Sequence, residues 1–180
     1  MTITPDTKNW TWVLERPCPE CGFEAAAFPR EEVAKLLRWN AVGWRAVLES
    51  GVDVTLRPEP AKWSPLEYAC HVRDCAAVYD ERLRRMLTED GPEYANWDQD
   101  EAALAGDYGA QDPALVETQL VAAFEALASR FESVVAEEQW RRTGFRGDGS
   151  AFTIESIARY FIHDPIHHLW DVTGKQAADQ

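Results

Sequence analysis

The chain has 180 residues, 46% of them hydrophobic and 27% charged, an ordinary balance for one globular domain able to bury a core of its own. Thirty-one Asp and Glu stand against 18 Lys and Arg, a formal charge of -13. That sign excludes sequence-independent binding to nucleic acid, which needs neutralised phosphates, and attraction to an anionic membrane surface. Nothing approaches the length of a membrane span, and MTITPDTKNWTWV lacks a basic segment followed by an apolar run, so the expected location is the cytoplasm.

Residues 1–28 read as a polar arm ending in WTWVLERPCPECGF. CPECG resembles one knuckle of a zinc ribbon or rubredoxin, but a closed zinc site needs four ligands and no second knuckle follows. Cys18 and Cys21 are therefore read first as reduced thiols bracing the arm. A redox pair and a four-cysteine site shared by two chains are the other readings.

Residues 29–180 carry helical periodicity. Val33, Leu36, Leu37, Asn40, Trp44, Val47 and Leu48 follow an i, i+3, i+4 pattern after Pro29, and Ser50-Gly51 ends it. Ser64-Pro65-Leu66-Glu67 opens a second helix with a capping box and a first-turn proline, running to about Glu89. The acidic stretch 90–111 is the longest irregular segment, with a short helix over Asp98–Leu104, and has the character of a functional lid. Asp112-Pro113 starts a third long helix with the stripe Val116, Leu120, Phe124, Leu127 and Phe131. WRRTGFRGDGSAFT is an extended or hairpin-like connection. Thr153 caps a last helix that contains Pro165 and stops at Gly174. Four long amphipathic helices predict an all-α four-helix bundle. Most of the eight tryptophans fall at segment edges, where they wedge loops onto the bundle or wall a pocket.

The histidines carry the chemistry. There are four, and three lie in FIHDPIHHLWDV. His163 and His167 are spaced to share a helix face; His71 sits in the second helix. Two imidazoles from one helix and one from another make a three-nitrogen metal site with an open position, the catalytic pattern. Such a site accepts zinc or nickel foremost, and also iron, cobalt or manganese. Tyr160 and Trp170 share the His163/His167 face, and Trp97 lies in the lid; these are candidate binding residues. Glu67 and Asp74, about a turn either side of His71, are candidate orienting carboxylates, with Glu67 also a candidate general base. His168 points about 100° away from His167, toward a neighbouring helix or as a proton carrier, and Asp164 is ambiguous in the same way. Cys75 lies one turn after His71 and within reach of the triad's ion, while Cys70 and Cys75 are too far round the helix to partner the CPECG pair.

LEYACHVRD, then GDGSAFT, then RYFIHDPIHHLWDV, in that order, resemble the DinB/YfiT-like metalloenzyme superfamily over about residues 30–175. The resemblance implies an up-down-down-up bundle with a divalent metal on His71, His163 and His167. It includes thiol-dependent relatives, mycothiol-dependent maleylpyruvate isomerase and bacillithiol transferases, and many members without an assigned reaction. The expectation is a metal-dependent enzyme that activates water or a low-molecular-weight thiol such as mycothiol against a small electrophile. A homodimer is expected, and neither nucleic acid nor membrane is a partner. The rival class is a non-enzymatic metal- or redox-responsive module built on CPECG.

Overall fold

The computed structural model describes residues 10–177. The first nine residues of the expected arm and the last three of the chain lie outside it. Three short 3-10 turns, Trp10–Leu14, Ala25–Ala27 and Arg30–Glu32, precede the first long helix. The helices are α1 (Val33–Leu48), α2 (Pro65–Thr88), α3 (Gln99–Ala105), α4 (Pro113–Glu132), α5 (Glu137–Trp140) and α6 (Ile154–Thr173). Helix α1 begins a turn later than Pro29 suggests, because Arg30–Glu32 winds as a 3-10 turn first.

Three of the four long helices, α2, α4 and α6, start where the sequence offers a side-chain partner for the free N–H groups of the first turn. Ser64 accepts from the Glu67 N–H at 3.2 Å while the Glu67 carboxylate accepts from the Ser64 N–H at 2.8 Å. Asp112 accepts from the Ala114 N–H at 2.9 Å, and Thr153 and Ser156 make a second reciprocal box at α6. Gly174, at φ 69°, ends α6 in the left-handed conformation that glycine takes without strain.

Helix α4 packs on α1 and α2, and α6 packs on α1 and α2, so the four long helices share one core. Trp44, Leu37, Leu83, Met86, Leu120, Phe124, Leu127, Phe161 and Ile162 are fully buried there. Each such side chain contributes about 1.5–3 kcal/mol relative to exposure. Helices α1 and α6 approach closely at Gly43, where a Cβ would stand 2.7 Å from Leu169 Cδ2. Pro165 sits inside α6, and its carbonyl accepts from Asn40 Nδ2 of α1 at 3.3 Å, so the crossing is also pinned by a buried hydrogen bond.

The all-α expectation omits a small sheet. Strands β2 (Thr143–Arg146) and β3 (Ala151–Thr153) form the hairpin that the glycines predict, antiparallel with Gly144 opposite Phe152. Strand β1 (Glu93–Tyr94) adds in parallel to β2. Gly144 is required there, since a Cβ would meet Met86 Cγ at 2.8 Å and Tyr94 Cε1 at 2.9 Å. Two-residue strands leave no readable alternation, which is why β1 escapes sequence reasoning. The sheet carries Arg146 and Asp148 to the rim of a cavity at the α2–α6 seam. Among the described residues, no helix is long and apolar enough to cross a membrane.

Candidate metal centre and adjoining cavity

A cavity of about 800 Å³ lies between α2, α6, the arm and the acidic segment around residues 96–100, within the range of small-molecule sites. His71, His163, His167 and His168 all line it. So do Tyr160, Trp97 and Trp170, the three binding residues expected from sequence, together with Trp10 and Glu20 of the arm. Residues 96–100 of the acidic stretch form one wall.

In and beside this cavity the donor atoms fall into two groups. Cys18, Cys21, His163 and His167 each offer a donor within 4.8 Å of the others, and all four are buried. His71, Cys75 and Asp164 form the second group. Thus His163 and His167 meet as their spacing predicts, with ring centroids 5.0 Å apart, while His71 faces another set.

The His163/His167 end is covered by the arm. Trp10 lies against both imidazoles, 5.3 and 5.2 Å between centroids. Cys18 Sγ is 3.6 Å from His167 Nδ1. The opposite nitrogen of His167 faces Glu20 at 3.5 Å and Asp171 at 3.9 Å. His163 Nε2 is buried with no hydrogen-bond partner. Burial holds His163 down to about 4, with His167 adding to the effect, and lowers His167 as well, so both imidazoles are neutral and able to donate to a metal. Burial pushes the Cys21 thiol up to about 12. No disulfide joins the cysteines: Cys18, Cys21, Cys70 and Cys75 are all free and buried.

The knuckle that presents the two thiols is built locally. The Gly22 N–H donates to the Cys18 carbonyl at 2.9 Å, and the Cys18 N–H to the Phe23 carbonyl at 2.9 Å. Gly22 makes the turn at φ 73°, a conformation costly for other residues. Beyond α6 the tail returns to the knuckle: the Ala177 N–H donates to the Cys21 carbonyl at 2.8 Å and Gln176 Nε2 to the Glu20 carbonyl at 3.0 Å.

His71 is set differently. Its ring is 1% exposed, stacked on Trp97 at 5.4 Å and against Trp63 at 5.3 Å. Its Nε2 faces Asp164 Oδ2 at 3.4 Å, and its Nδ1 has no hydrogen-bond partner. Asp164 also faces His168 Nε2 at 3.7 Å, and His168 Nδ1 pairs with Asp171 at 2.9 Å. His168, for which sequence offered a neighbouring helix or a proton-carrying place, stands between Asp164 and Asp171 at the cavity. A row of alternating carboxylate and imidazole, Asp171, His168, Asp164, His71, crosses the cavity floor. Burial alone would raise the Asp164 carboxyl, but the His71 and His168 rings hold it well below the usual carboxylate range.

Two candidate carboxylates lie elsewhere. Glu67 accepts from the Ser64 N–H and pairs with Arg57 Nη2, and from Arg57 Nε at 2.8 Å, so its oxygens serve the start of α2. Asp74 accepts from the Tyr108 hydroxyl at 2.5 Å and from Arg73 at 2.7 Å. Sequence reasoning missed that the fold brings the HxxxH pair beside the CPECG thiols. The signal was present, since Cys-x-x-Cys with His-x-x-x-His is a familiar donor spacing, but some 140 residues separate the halves.

Bundle, cavity and clustered donors define a helical protein with a candidate metal centre beside a cavity of small-molecule size. The DinB superfamily profile matches residues 50–172, and the chain belongs to that superfamily. Among solved structures it is similar to YfiT from Bacillus subtilis, described as a probable metal-dependent hydrolase with an unusual four-helix bundle topology. The TM-score is 0.74 at 16% identity, over 81% of this chain and 84% of that one. That identity shows a shared fold. No curated protein matches.

Proposed function

We propose that the chain is a metal-dependent enzyme acting on a small molecule held in the cavity. The observation that carries this reading is that the two histidines of a buried donor cluster and a carboxylate–imidazole row line one cavity. His163 and His167 hold the ion. The unpartnered, buried His163 Nε2 and the neutral state of both rings fit a divalent cation, zinc or nickel foremost. Such an ion, when bound, makes water or a thiol nucleophilic near neutral pH.

The chain's own residues do the rest. His71, the third histidine of the expected set, stands on the cavity side with its ring fixed between Trp63 and Trp97. Asp164 orients it, and the row through His168 to Asp171 carries a proton away from or back to the reacting molecule. Trp10, Trp97 and Trp170 exclude water and clasp an apolar substrate body. Hydrolysis of a small electrophile results with water as nucleophile, S-transfer with a low-molecular-weight thiol such as mycothiol.

The test begins with untagged protein that has met neither chelator nor nickel resin. About one equivalent of divalent metal is expected by elemental analysis. Esters, amides and thiol–electrophile pairs are then screened for turnover. H163A and H167A should lose metal and activity together. H71A should keep the metal and lose activity by about 100-fold or more, the scale of a general acid–base group. Protein without stoichiometric metal, or an H71A variant of full activity, would sink the proposal.

A further inference from the structure

We propose that Cys18 and Cys21 complete, with His163 and His167, a four-donor zinc site that fastens the arm onto α6. The proposal rests on the reading that His163 and His167 hold an ion, and names the rest of its coordination. Four donors on a tetrahedral zinc, with bonds of about 2.0–2.3 Å, stand about 3.3–3.8 Å apart. The Cys18 Sγ to His167 Nδ1 distance of 3.6 Å lies in that range, and all four donors lie within 4.8 Å of one another.

Three further observations point to the same ion. His163 Nε2, buried without a hydrogen-bond partner, is left for a cation. His167 turns Nδ1 toward the thiols and Nε2 toward Glu20 and Asp171, the arrangement in which a carboxylate fixes a metal-bound imidazole from behind. The CPECG turn, with its Gly22 at positive φ and two backbone bonds across it, presents both sulfurs from one knuckle. Two thiolates with two imidazoles select zinc over harder cations such as magnesium and calcium.

Four protein donors fill a tetrahedral shell, so the ion holds structure, and a water or thiol activated by it would have to add as a fifth ligand. The arm it holds brings Trp10 and Glu20 to the cavity wall. Metal dependence of activity then includes the assembly of that wall. His71, grouped with Cys75 and Asp164, stays outside the coordination.

Cobalt(II) replaces zinc as the probe in reduced, full-length protein. The wild type should bind one equivalent and show thiolate-to-cobalt charge-transfer absorption with tetrahedral ligand-field bands. C18S should weaken the charge-transfer band and C18S/C21S should abolish it, with the arm becoming open to limited proteolysis. H71A should leave the spectrum unchanged. Cobalt bound without a charge-transfer band, a band that survives in C18S/C21S, or a spectrum lost in H71A overturns this coordination while leaving the enzyme reading standing. If the metal-loaded N2S2 spectrum appears and no small-molecule turnover is found, the enzyme reading fails and the site stands. H163A, which keeps both thiols, is a second arm: retention of the wild-type spectrum there also overturns the proposal.

Discussion

Glu67 and His71 sit one turn apart on α2 and do different work. Glu67 closes the capping box of α2 and meets Arg57, and its burial penalty is outweighed by those partners, so its carboxyl lies below its ordinary value of 4.5. A carboxylate lowered by folding stabilises the native state at pH above its unfolded value. That contribution fades as pH falls through the lower folded value. E67A should cost about 1 kcal/mol, the usual worth of a cap, seen as a Tm lower by about 2–4 °C, with metal content unchanged. E67Q can still close the box, so it should lose less, and its urea midpoint should fall less steeply between pH 6 and 3 than that of the wild type. His71, which lines the cavity, was legible as a candidate from its residue type and helix position. Its partner was not, because a helix register gives the direction of a ring but not which of two facing groups it meets. Asp164 rather than His163 faces its Nε2.

Among the elements, the seam between α1 and α6 is set by what is missing at Gly43. Glycine inside a helix costs about 1 kcal/mol relative to alanine, whereas forcing a methyl group into a packed seam costs about 1–3 kcal/mol. The second effect wins in the native context, since Leu169 is buried and its Cδ2 would stand 2.7 Å from the new Cβ. G43A should therefore destabilise, and on an L169A background the same change should stabilise; chemical denaturation of the four proteins in that cycle measures the reversal. The long helices were legible because their caps and apolar stripes agree: Ser64, Asp112 and Thr153 each begin a helix as their side chains predict. Strand β1 was not, being two residues whose only signal is their neighbour β2.

At the scale of the whole molecule, the arm and α6 bring their donor atoms into one cluster although they come from opposite ends of the chain. Composition and charge limited the class, and the order of motifs pointed to the superfamily. The cluster itself was hidden because proximity across the bundle leaves no periodic trace in the sequence. Cys18 and His167 are separated by 149 residues and stand 3.6 Å apart. A tie between them acts as a cross-link does: it denies the unfolded chain most of its freedom to separate its ends. By the loop-closure scale used for disulfides, a loop of that length corresponds to about 5 kcal/mol. Dialysis against a strong chelator should lower Tm and restored zinc should return it, while C18S/C21S should melt at one temperature with or without metal. The tie also bears on the order of folding. Local helices can form early, but the donors meet only after nearly the whole sequence has been drawn together. The centre is therefore a late reporter of completed folding, and a refolding trace followed by cobalt absorption should lag one followed by helix formation.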